Sequence, residues 1–237
     1  MKSADAPAFI VAIDGPAGAG KSTVSRLAAE RLGFALVDTG AIYRAVALAA
    51  SRAGVAFDDD EGLAEILADL PLEFGPREGG GQGVFLAGED VSDAIRTPAI
   101  SLGASAVSAR PVVRAGLLEL QRRLARGAPR GAVLEGRDIG TVVFPDADAK
   151  FFLTAKDDVR AERRYAELKA RGVDATFEQV LADQRKRDKD DTERPIAPLQ
   201  PAEDSVLVDS THLSKAEVVD RIVAEVDRRL AARRRHD

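Results

Sequence analysis

A loop near the start of the chain constrains the fold more than any other feature. Residues 15–22, GPAGAGKS, match the pattern G-x-x-x-x-G-K-[ST] at every fixed position. The stretch follows a short, branched apolar run at 9–13, which is typical of a buried strand. Apolar residues then recur at helical spacing from Lys21 to Leu32, and Gly33 is a typical helix stop. The sequence therefore predicts strand, glycine-rich loop and helix in direct succession, which is the context that makes the pattern specific.

The chemistry of this loop suits a phosphate group. Glycines allow backbone N–H groups to turn inward around phosphate oxygens, and the helix N-terminus adds the positive end of its dipole. We expect Lys21 to reach the β- and γ-phosphates of a nucleoside triphosphate and the Ser22 hydroxyl to ligate Mg²⁺. The alternative is an ordinary glycine-rich turn with a solvated Lys21, and the strand–loop–helix context favours the first interpretation. The residues predicted to bind the triphosphate are Gly15, Pro16, Ala17, Gly18, Ala19, Gly20, Lys21, Ser22 and Thr23.

The rest of the N-terminal half predicts a parallel sheet followed by an insertion. A second strand at 35–37 leads into a second helix, and alternating strands and helices are typical of parallel sheets with crossover helices. The alternation breaks over 58–97, where the short apolar segments 72–74 and 84–86 flank a glycine cluster at 79–83. We expect a small insertion there, with antiparallel strands of its own.

The C-terminal half returns to the core pattern. Helical spacing resumes at 98–126, where Pro111 marks a break or a new first turn. The segment 157–194 is almost entirely charged and helical, and a last helix begins at Ser214 with a capping box completed by Glu217. The apolar segments expected in the core are 132–134, 142–144, 151–153 and 206–208.

Composition excludes several classes of protein. A chain of 237 residues is long enough for one α/β domain with insertions, and its net charge of −5 argues against a protein that coats a nucleic-acid duplex. The absence of cysteine excludes disulfide scaffolds and thiolate metal sites, and two histidines, His212 and His236, exclude a histidine-rich zinc site. No apolar run approaches the ~20 residues of a membrane span, and residues 1–8 lack the core of a signal peptide. We expect a soluble, cytoplasmic protein.

The phosphate-binding loop occurs in several classes of protein, and the remaining sequence excludes some of them. A GTPase would carry the guanine-reading motif [NT]-K-x-D, which is absent from this chain. The glycine cluster at 79–83 lacks the preceding Leu-Ser of a transporter ATPase signature, so we interpret it as a loop. A small chain with an insertion and a charged segment favours a small-molecule kinase, which must hold a second anion opposite the loop and exclude water.

Several arginines have positions suited to that second anion. Arg44 follows the second strand and Arg137 follows the third, at the carboxyl edge where α/β sheets bind ligands. Guanidinium groups bind phosphate in a bidentate manner and would reduce the repulsion between two nucleotides. Arg187 and Arg194 lie in the charged segment, and solvated surface arginines are the alternative interpretation for all four. Asp138 and Asp191 equally suit N-caps or salt-bridge partners of these arginines.

These motifs together resemble those of the bacterial cytidylate (CMP/dCMP) kinases, and the resemblance extends over nearly the whole chain. It implies a core with the phosphate loop, formed by residues 1–39, 113–156 and 196–237, a nucleoside-monophosphate-binding insertion at 40–112 and a short helical lid at 157–195. The most discriminating of the matching stretches are EGRDIGTVVFPDA and the ending of RDKDDTERPIAPL; the others include DGPAGAGKST and DTGAIYRAVA.

The resemblance also implies roles for individual residues. Arg44, Arg137 and Arg194 resemble the family's clamp on the CMP phosphate and, with Lys21, form the implied catalytic set. Three further residues are implied to bind the cytosine base, namely Ser105, Arg114 and Asp138. Arg187 and Asp191 are implied to contact the sugar. Thr39 and Tyr43 complete the implied CMP-binding residues. Arg163 and Arg164 resemble lid arginines that face the ATP phosphates.

The implied reaction is transfer of the γ-phosphoryl group of MgATP to CMP or dCMP, by a monomer that binds neither nucleic acid nor membrane. Cytosine presents an N4 donor that suits the Asp138 carboxylate, whereas uracil would leave that carboxylate facing an acceptor. Such a mismatch costs about 1–3 kcal/mol, or roughly ten- to hundredfold in discrimination. Two departures from the family pattern are conservative: Thr39 stands where many relatives have serine, and Glu135 where some have aspartate.

Two alternatives stay open from the sequence. One is a kinase for AMP or UMP. The other is a nucleic-acid-associated protein with the same loop, suggested by the arginine-rich segment 228–235, although basic residues also favour the C-terminal end of a helix.

Overall fold

The computed structural model of the chain describes residues 7–77 and 81–235. Residues 79 and 80 of the predicted glycine connection, and His236, lie outside these ranges. In chain order the strands are β1 (Phe9–Asp14), β2 (Ala35–Asp38), β3 (Leu72–Pro76), β4 (Gln82–Leu86), β5 (Glu89–Asp90), β6 (Gly131–Gly136), β7 (Ala149–Thr154) and β8 (Val206–Asp209). The helices are α1 (Lys21–Leu32), α2 (Thr39–Ala53), α3 (Asp60–Ala68), α4 (Pro98–Ser108), α5 (Pro111–Arg126), α6 (Asp157–Ala170), α7 (Phe177–Glu193) and α8 (Lys215–Arg233).

The chain divides into two compact units, Met1–Val37 with Arg122–Asp237, and Asp38–Gln121. The first unit is built on a five-stranded sheet in the order β2-β6-β1-β7-β8. The central strand β1 pairs in parallel with β6 and with β7, and β7 pairs in parallel with β8. The predicted α/β fold with a parallel sheet flanked by helices is therefore confirmed.

The core of the first unit forms where α1 and α8 cover one face of this sheet. Val11 and Ile13 on β1 are fully buried and belong to the same apolar cluster as Val24 on α1 and Ile222 on α8. Every residue of β1 is buried, which explains why its sequence is a continuous apolar run rather than an alternating pattern.

Local signals fixed the ends of these helices as expected. Gly33 ends α1 with a left-handed backbone, φ 64°. At the start of α8 the Ser214 hydroxyl accepts the Glu217 backbone N–H, and the Glu217 carboxylate accepts the Ser214 N–H, so the predicted capping box is confirmed. In the described part of the chain no helix has the length and apolar character needed to span a bilayer.

The second unit contains the predicted antiparallel strands. The strands β3, β4 and β5 form a separate sheet in that order, with antiparallel pairing throughout. The two-residue strand β5 was not predicted, because it lacks an apolar pattern and is positioned partly by ion pairs of Arg77 with Asp90 and Asp93. Pro111 is the first residue of α5, so of the two predicted possibilities, a break or a new first turn, it marks the first turn of a new helix.

Two apolar segments differ from expectation. In 206–208 only Val208 is buried, whereas Val206 is 36% and Leu207 65% exposed, because β8 is an edge strand of the sheet. The other segment is 142–144. Val143 and Phe144 are buried, but Val142 is 38% exposed and does not join the core. The reason is that Ile139–Val143 forms a single π-helical turn, which points successive side chains in different directions. Such turns are rare and are often found at functional sites, and this one directly follows Arg137 and Asp138.

Candidate active site

The glycine-rich loop leaves the carboxyl end of β1 and leads into α1. Gly15 and Gly18 have positive φ values of 148° and 72°, and side chains at these positions would collide with neighbours. A Cβ on Gly15 would lie 2.0 Å from the Leu153 carbonyl oxygen, and a Cβ on Gly18 would lie 2.1 Å from the Gln184 amide nitrogen. Glycine is therefore required here by the backbone conformation and by close packing.

Lys21 is folded back over this loop. Its side chain is buried, and its ammonium donates to the Gly15 and Pro16 carbonyl oxygens at 2.7 Å each. Burial lowers the pKa of Lys21 well below its usual value, and the charge of Arg137 lowers the pKa further, against the opposing effect of Glu135. An anion bound at the loop would favour the charged ammonium and so raise this pKa again.

Two side-chain oxygens lie together at the start of α1. The Ser22 hydroxyl donates to Glu135 Oε2 at 2.9 Å, and Glu135 is buried near the end of β6. A hydroxyl beside a carboxylate is a donor set that suits a hard cation such as Mg²⁺. Within residues 7–77 and 81–235, no cluster of three or more His, Cys, Asp or Glu side chains could hold a metal by itself.

Four charged residues form what we call the arginine–aspartate cluster: Arg137 and Asp138 follow β6, Asp191 lies in the last turn of α7, and Arg194 directly follows α7. Asp138 and Asp191 are buried, and Arg137 is partly buried. Arg137 Nε donates to Asp191 Oδ2 at 2.8 Å. Arg194 lies 3.6 Å from Asp138 Oδ1 and 3.8 Å from Asp191 Oδ1, and its Nε donates to the Ala197 carbonyl at 2.6 Å. Both arginines are thus held in place by polar partners.

Asp191 is ionised in this cluster. Burial acts to raise the pKa of Asp191, but Arg137, together with Arg187 and Arg194, holds that pKa below its usual value. Arg187 and Asp191 lie one turn apart on α7. The structure therefore brings Arg137, Asp138, Arg187, Asp191 and Arg194 into one electrostatic group within the first unit.

Five of the sequence-predicted residues, Thr39, Tyr43, Arg44, Ser105 and Arg114, lie in the second unit. Asp38 caps α2 by accepting the Ala41 N–H, and its other oxygen pairs with Arg44 at 3.0 Å. Arg44 Nε is buried and has no hydrogen-bond partner among the described residues. The Arg114 guanidinium lies 5.8 Å from the centre of the Tyr43 ring, a cation–π distance.

The two arginines predicted to face ATP differ in their surroundings. Arg163 on α6 donates to the Ser210 hydroxyl at 3.0 Å and to the Ser210 carbonyl at 2.8 Å. It lines a cavity of about 320 Å³ that is also lined by Gly20 and Thr23 of the phosphate loop region. Arg164 instead pairs with Glu167 on its own helix at 2.9 Å.

Sequence reasoning missed three side chains that hold the tip of the loop. Arg160 donates to the Ala17 carbonyl at 2.7 Å and to Asp188 at 2.5 Å, and Asp188 in turn accepts the Ala17 N–H at 3.2 Å. Gln184 also donates to the Ala17 carbonyl, at 3.2 Å. The only sequence signal for these contacts was the low number of apolar residues in the charged segment, which left its packing partners undefined.

Asp14 was also missed. Its carboxylate is buried and accepts the N–H groups of Ile139 at 2.8 Å and Gly140 at 2.7 Å. Burial raises the pKa of Asp14 to about 6, with a contribution from the charge of Asp138, against the opposing effects of the two N–H donors and Lys21. A sequence shows only an aspartate at a strand end, which is also a common turn residue.

The arginine-rich C-terminal segment is engaged in contacts within the chain. Arg228 and Arg229 both bind Glu225, and Arg229 and Arg233 reach Asp148. These contacts of Arg228, Arg229 and Arg233 stabilise the C-terminal end of α8.

The parallel sheet, the loop and the adjoining charge cluster define a P-loop nucleotide-binding protein of the kinase type. A model of the cytidylate kinase family matches residues 11–228. A cytidylate kinase from Geobacter sulfurreducens is 55% identical over 97% of each chain, and one from Geobacter sp. strain M21 is 54% identical over 94% of each chain. The chain belongs to the cytidylate kinase family, and the family predicted from the sequence is confirmed. It is accordingly an ATP-dependent nucleoside monophosphate kinase.

The raised pKa of Asp14 predicts a specific effect on stability. Its pKa is about 6 in the folded chain against 3.8 for an ordinary aspartate, so the folded state binds the proton more tightly. The stabilisation from that proton is present below about pH 4 and is lost as the pH rises through 6, a change of about 3 kcal/mol. Urea unfolding of wild type and Asp14→Asn from pH 4 to 7 should show this slope in the wild type only. If the free energy of unfolding varied with pH in the same way in both proteins, the raised pKa of Asp14 would be contradicted.

Proposed function

We propose that this chain transfers the γ-phosphoryl group of ATP to CMP or dCMP at the shared edge of β1 and β6. The observation that carries the proposal is the register of these strands, in which Asp14 pairs with Gly136. The residue after Asp14 begins the phosphate loop, and the residue after Gly136 is Arg137. A triphosphate on the loop and an acceptor phosphate on the arginine–aspartate cluster would therefore be neighbours.

In this proposal the loop residues 15–23 hold the ATP phosphates through backbone N–H groups and Lys21. Arg163 and Arg164 supply further positive charge, and the cavity beside Arg163, Gly20 and Thr23 accommodates the nucleoside part. Its position next to the helix N-terminus supports this assignment, because phosphates bind there and the rest of the nucleotide must continue into adjoining space.

Mg²⁺ would be held by Ser22, with Glu135 as the neighbouring carboxylate. Their contact of 2.9 Å at the end of the loop supports this assignment. When bound, Mg²⁺ neutralises charge on the transferring phosphate and orients it. Two protein oxygens are fewer than the six ligands of an octahedral Mg²⁺. This suits a cation that takes most of its ligands from phosphates and water.

For the acceptor, we assign the CMP phosphate to Arg44, Arg137 and Arg194. The sugar is assigned to Arg187 and Asp191, and the base to Asp138. The remaining base and pocket contacts are assigned to Thr39, Tyr43, Ser105 and Arg114. The residues 40–112 then form the acceptor-binding domain and 157–195 the lid. These assignments follow the family resemblance, and the burial of Asp138, of Asp191 and of Arg44 Nε supports them.

The chemistry needs positioning and charge neutralisation rather than a general base. The attacking oxygen of CMP is already anionic near neutral pH, so no proton has to be removed. Guanidinium groups offset the repulsion between the two nucleotides, and exclusion of water suppresses hydrolysis of ATP. We further propose that the enzyme acts as a monomer in the cytoplasm.

Replacing Arg137 by lysine should impair turnover although the charge is kept. Lysine cannot form the two parallel hydrogen bonds of a guanidinium fork, and loss of a hydrogen bond to a charged group costs about 1.5–3 kcal/mol. We expect kcat/KM for CMP to fall roughly ten- to hundredfold in Arg137→Lys. The exposed Arg185→Lys is the matched control and should behave as wild type. Near-normal kcat/KM for CMP in Arg137→Lys would contradict the proposed binding of the CMP phosphate by Arg137.

Acceptor specificity tests the assignment of Asp138. Initial rates with CMP, dCMP, UMP and AMP should favour the two cytosine nucleotides, because a carboxylate accepts from the cytosine N4 donor and has nothing to donate to uracil. An asparagine offers both an acceptor and a donor, so Asp138→Asn should reduce the CMP-to-UMP preference about tenfold. Asp190→Asn on the exposed side of α7 is the control and should keep the preference. Equal wild-type rates on CMP and UMP would refute this role.

A further inference from the structure

The carboxylate of Asp14 connects the central strand to the segment that carries the proposed acceptor residues. Asp14 is the last residue of β1 and is only 5% exposed. Its two oxygens accept one N–H each, from Ile139 and from Gly140, at 2.8 and 2.7 Å. Asp14 lies more than a hundred positions before Ile139 and Gly140 in the sequence.

The two N–H groups are the first donors of the π-helical turn Ile139–Val143. Donors at the start of a helical turn have no partner within the turn and need an external acceptor when buried. Later N–H groups of this turn are satisfied internally, since Val142 N and Val143 N donate to the Asp138 carbonyl. The Asp14 carboxylate therefore supplies the two hydrogen-bond acceptors that the turn lacks.

The segment packs against the carboxylate. A Cβ on Gly140 would lie 3.4 Å from Asp14 Oδ2 and 3.2 Å from the Lys150 side chain. Asp138, the residue before the turn, makes no side-chain capping hydrogen bond to it. The backbone immediately after Arg137 and Asp138 is thus fixed from β1.

We propose that Asp14 is a positioning residue for the acceptor nucleotide, because it sets the backbone from which Arg137 and Asp138 project. The inference rests on the acceptor roles proposed above for those two residues. Although Asp14 directly precedes Gly15, its carboxylate oxygens bind the Ile139–Gly140 backbone. Loss of the carboxylate is therefore expected to affect binding of CMP more than binding of ATP.

The opposite end of β1 provides a matched control. Asp148 Oδ2 accepts the Ile10 N–H at 2.8 Å, so it also fixes a backbone N–H with one carboxylate oxygen, and Asp148 additionally contacts Arg233. Asp148→Asn changes the same chemical group against the same strand, away from the acceptor segment. It reports the effect of weakening a partly buried carboxylate–backbone contact on β1.

The experiment is steady-state kinetics at about pH 7.5, where an aspartate with a pKa near 6 is ionised. We expect Asp14→Asn to raise KM for CMP about tenfold, because one of its two acceptor oxygens becomes an NH₂ donor that faces an N–H. KM for ATP should stay within about twofold, and Asp148→Asn should leave both KM values within about twofold. An equal rise in both KM values for Asp14→Asn, or no rise in either, would overturn the proposal.

A second variant keeps the test valid if Asp14→Asn does not fold. Asp14→Glu retains the charge and both oxygens but displaces them by one methylene, so it should show the same split between CMP and ATP. Normal KM values for both substrates in Asp14→Glu would count against the proposal. A wild-type protein that phosphorylates no cytidine nucleotide would instead refute the proposed function, which distinguishes the two failures.

Discussion

The parallel pairing of β1 with β6 is the interaction on which the rest of the structure depends. It places the ends of two strands at one edge of the sheet, with the phosphate loop following one strand and Arg137 and Asp138 following the other. Two loops on adjacent strands have a separation set by the sheet, about 5 Å between neighbouring strands, rather than by loop flexibility. The bonds of Asp14 to Ile139 and Gly140 extend this fixed spacing beyond the sheet.

Charge compensation explains how so many cations are held beside one another. Lys21, Arg137, Arg187 and Arg194 would repel one another, and Glu135 and Asp191 offset that repulsion. A guanidinium has five N–H donors, so Arg137 can bind Asp191 through Nε and still offer donors to a phosphate. The cluster therefore has ordered arginines before any substrate is considered, and ordered groups lose less conformational entropy when they bind.

Elements with local causes could be predicted from the sequence, whereas individual contacts between distant segments could not. The strand at 9–13, the helix from Lys21 to Leu32 and the capping box at Ser214 depend on residues close together in the chain. The π-helical turn at Ile139–Val143 depends on an acceptor more than a hundred residues away.

The same distinction applies to the candidate site. The phosphate loop could be found from its glycine spacing, and Arg137 from its place at the end of a strand. The contacts of Arg160, Gln184 and Asp188 with Ala17 could not, because an arginine, a glutamine and an aspartate in a charged helix usually remain solvated. Only the packing of α6 and α7 against the loop distinguishes these three from their neighbours.

The central claim is that guanidinium groups beside the phosphate loop recognise the acceptor through its phosphate. Calorimetric titration with CMP and with cytidine, which lacks only that phosphate, measures this directly in wild type and in Arg137→Ala. We predict that wild type binds CMP at least about a hundredfold more tightly than cytidine, since charge-assisted hydrogen bonds contribute about 1.5–3 kcal/mol each. In Arg137→Ala the preference should fall at least about tenfold, with cytidine affinity little changed. An undiminished preference for CMP in the variant would contradict the account.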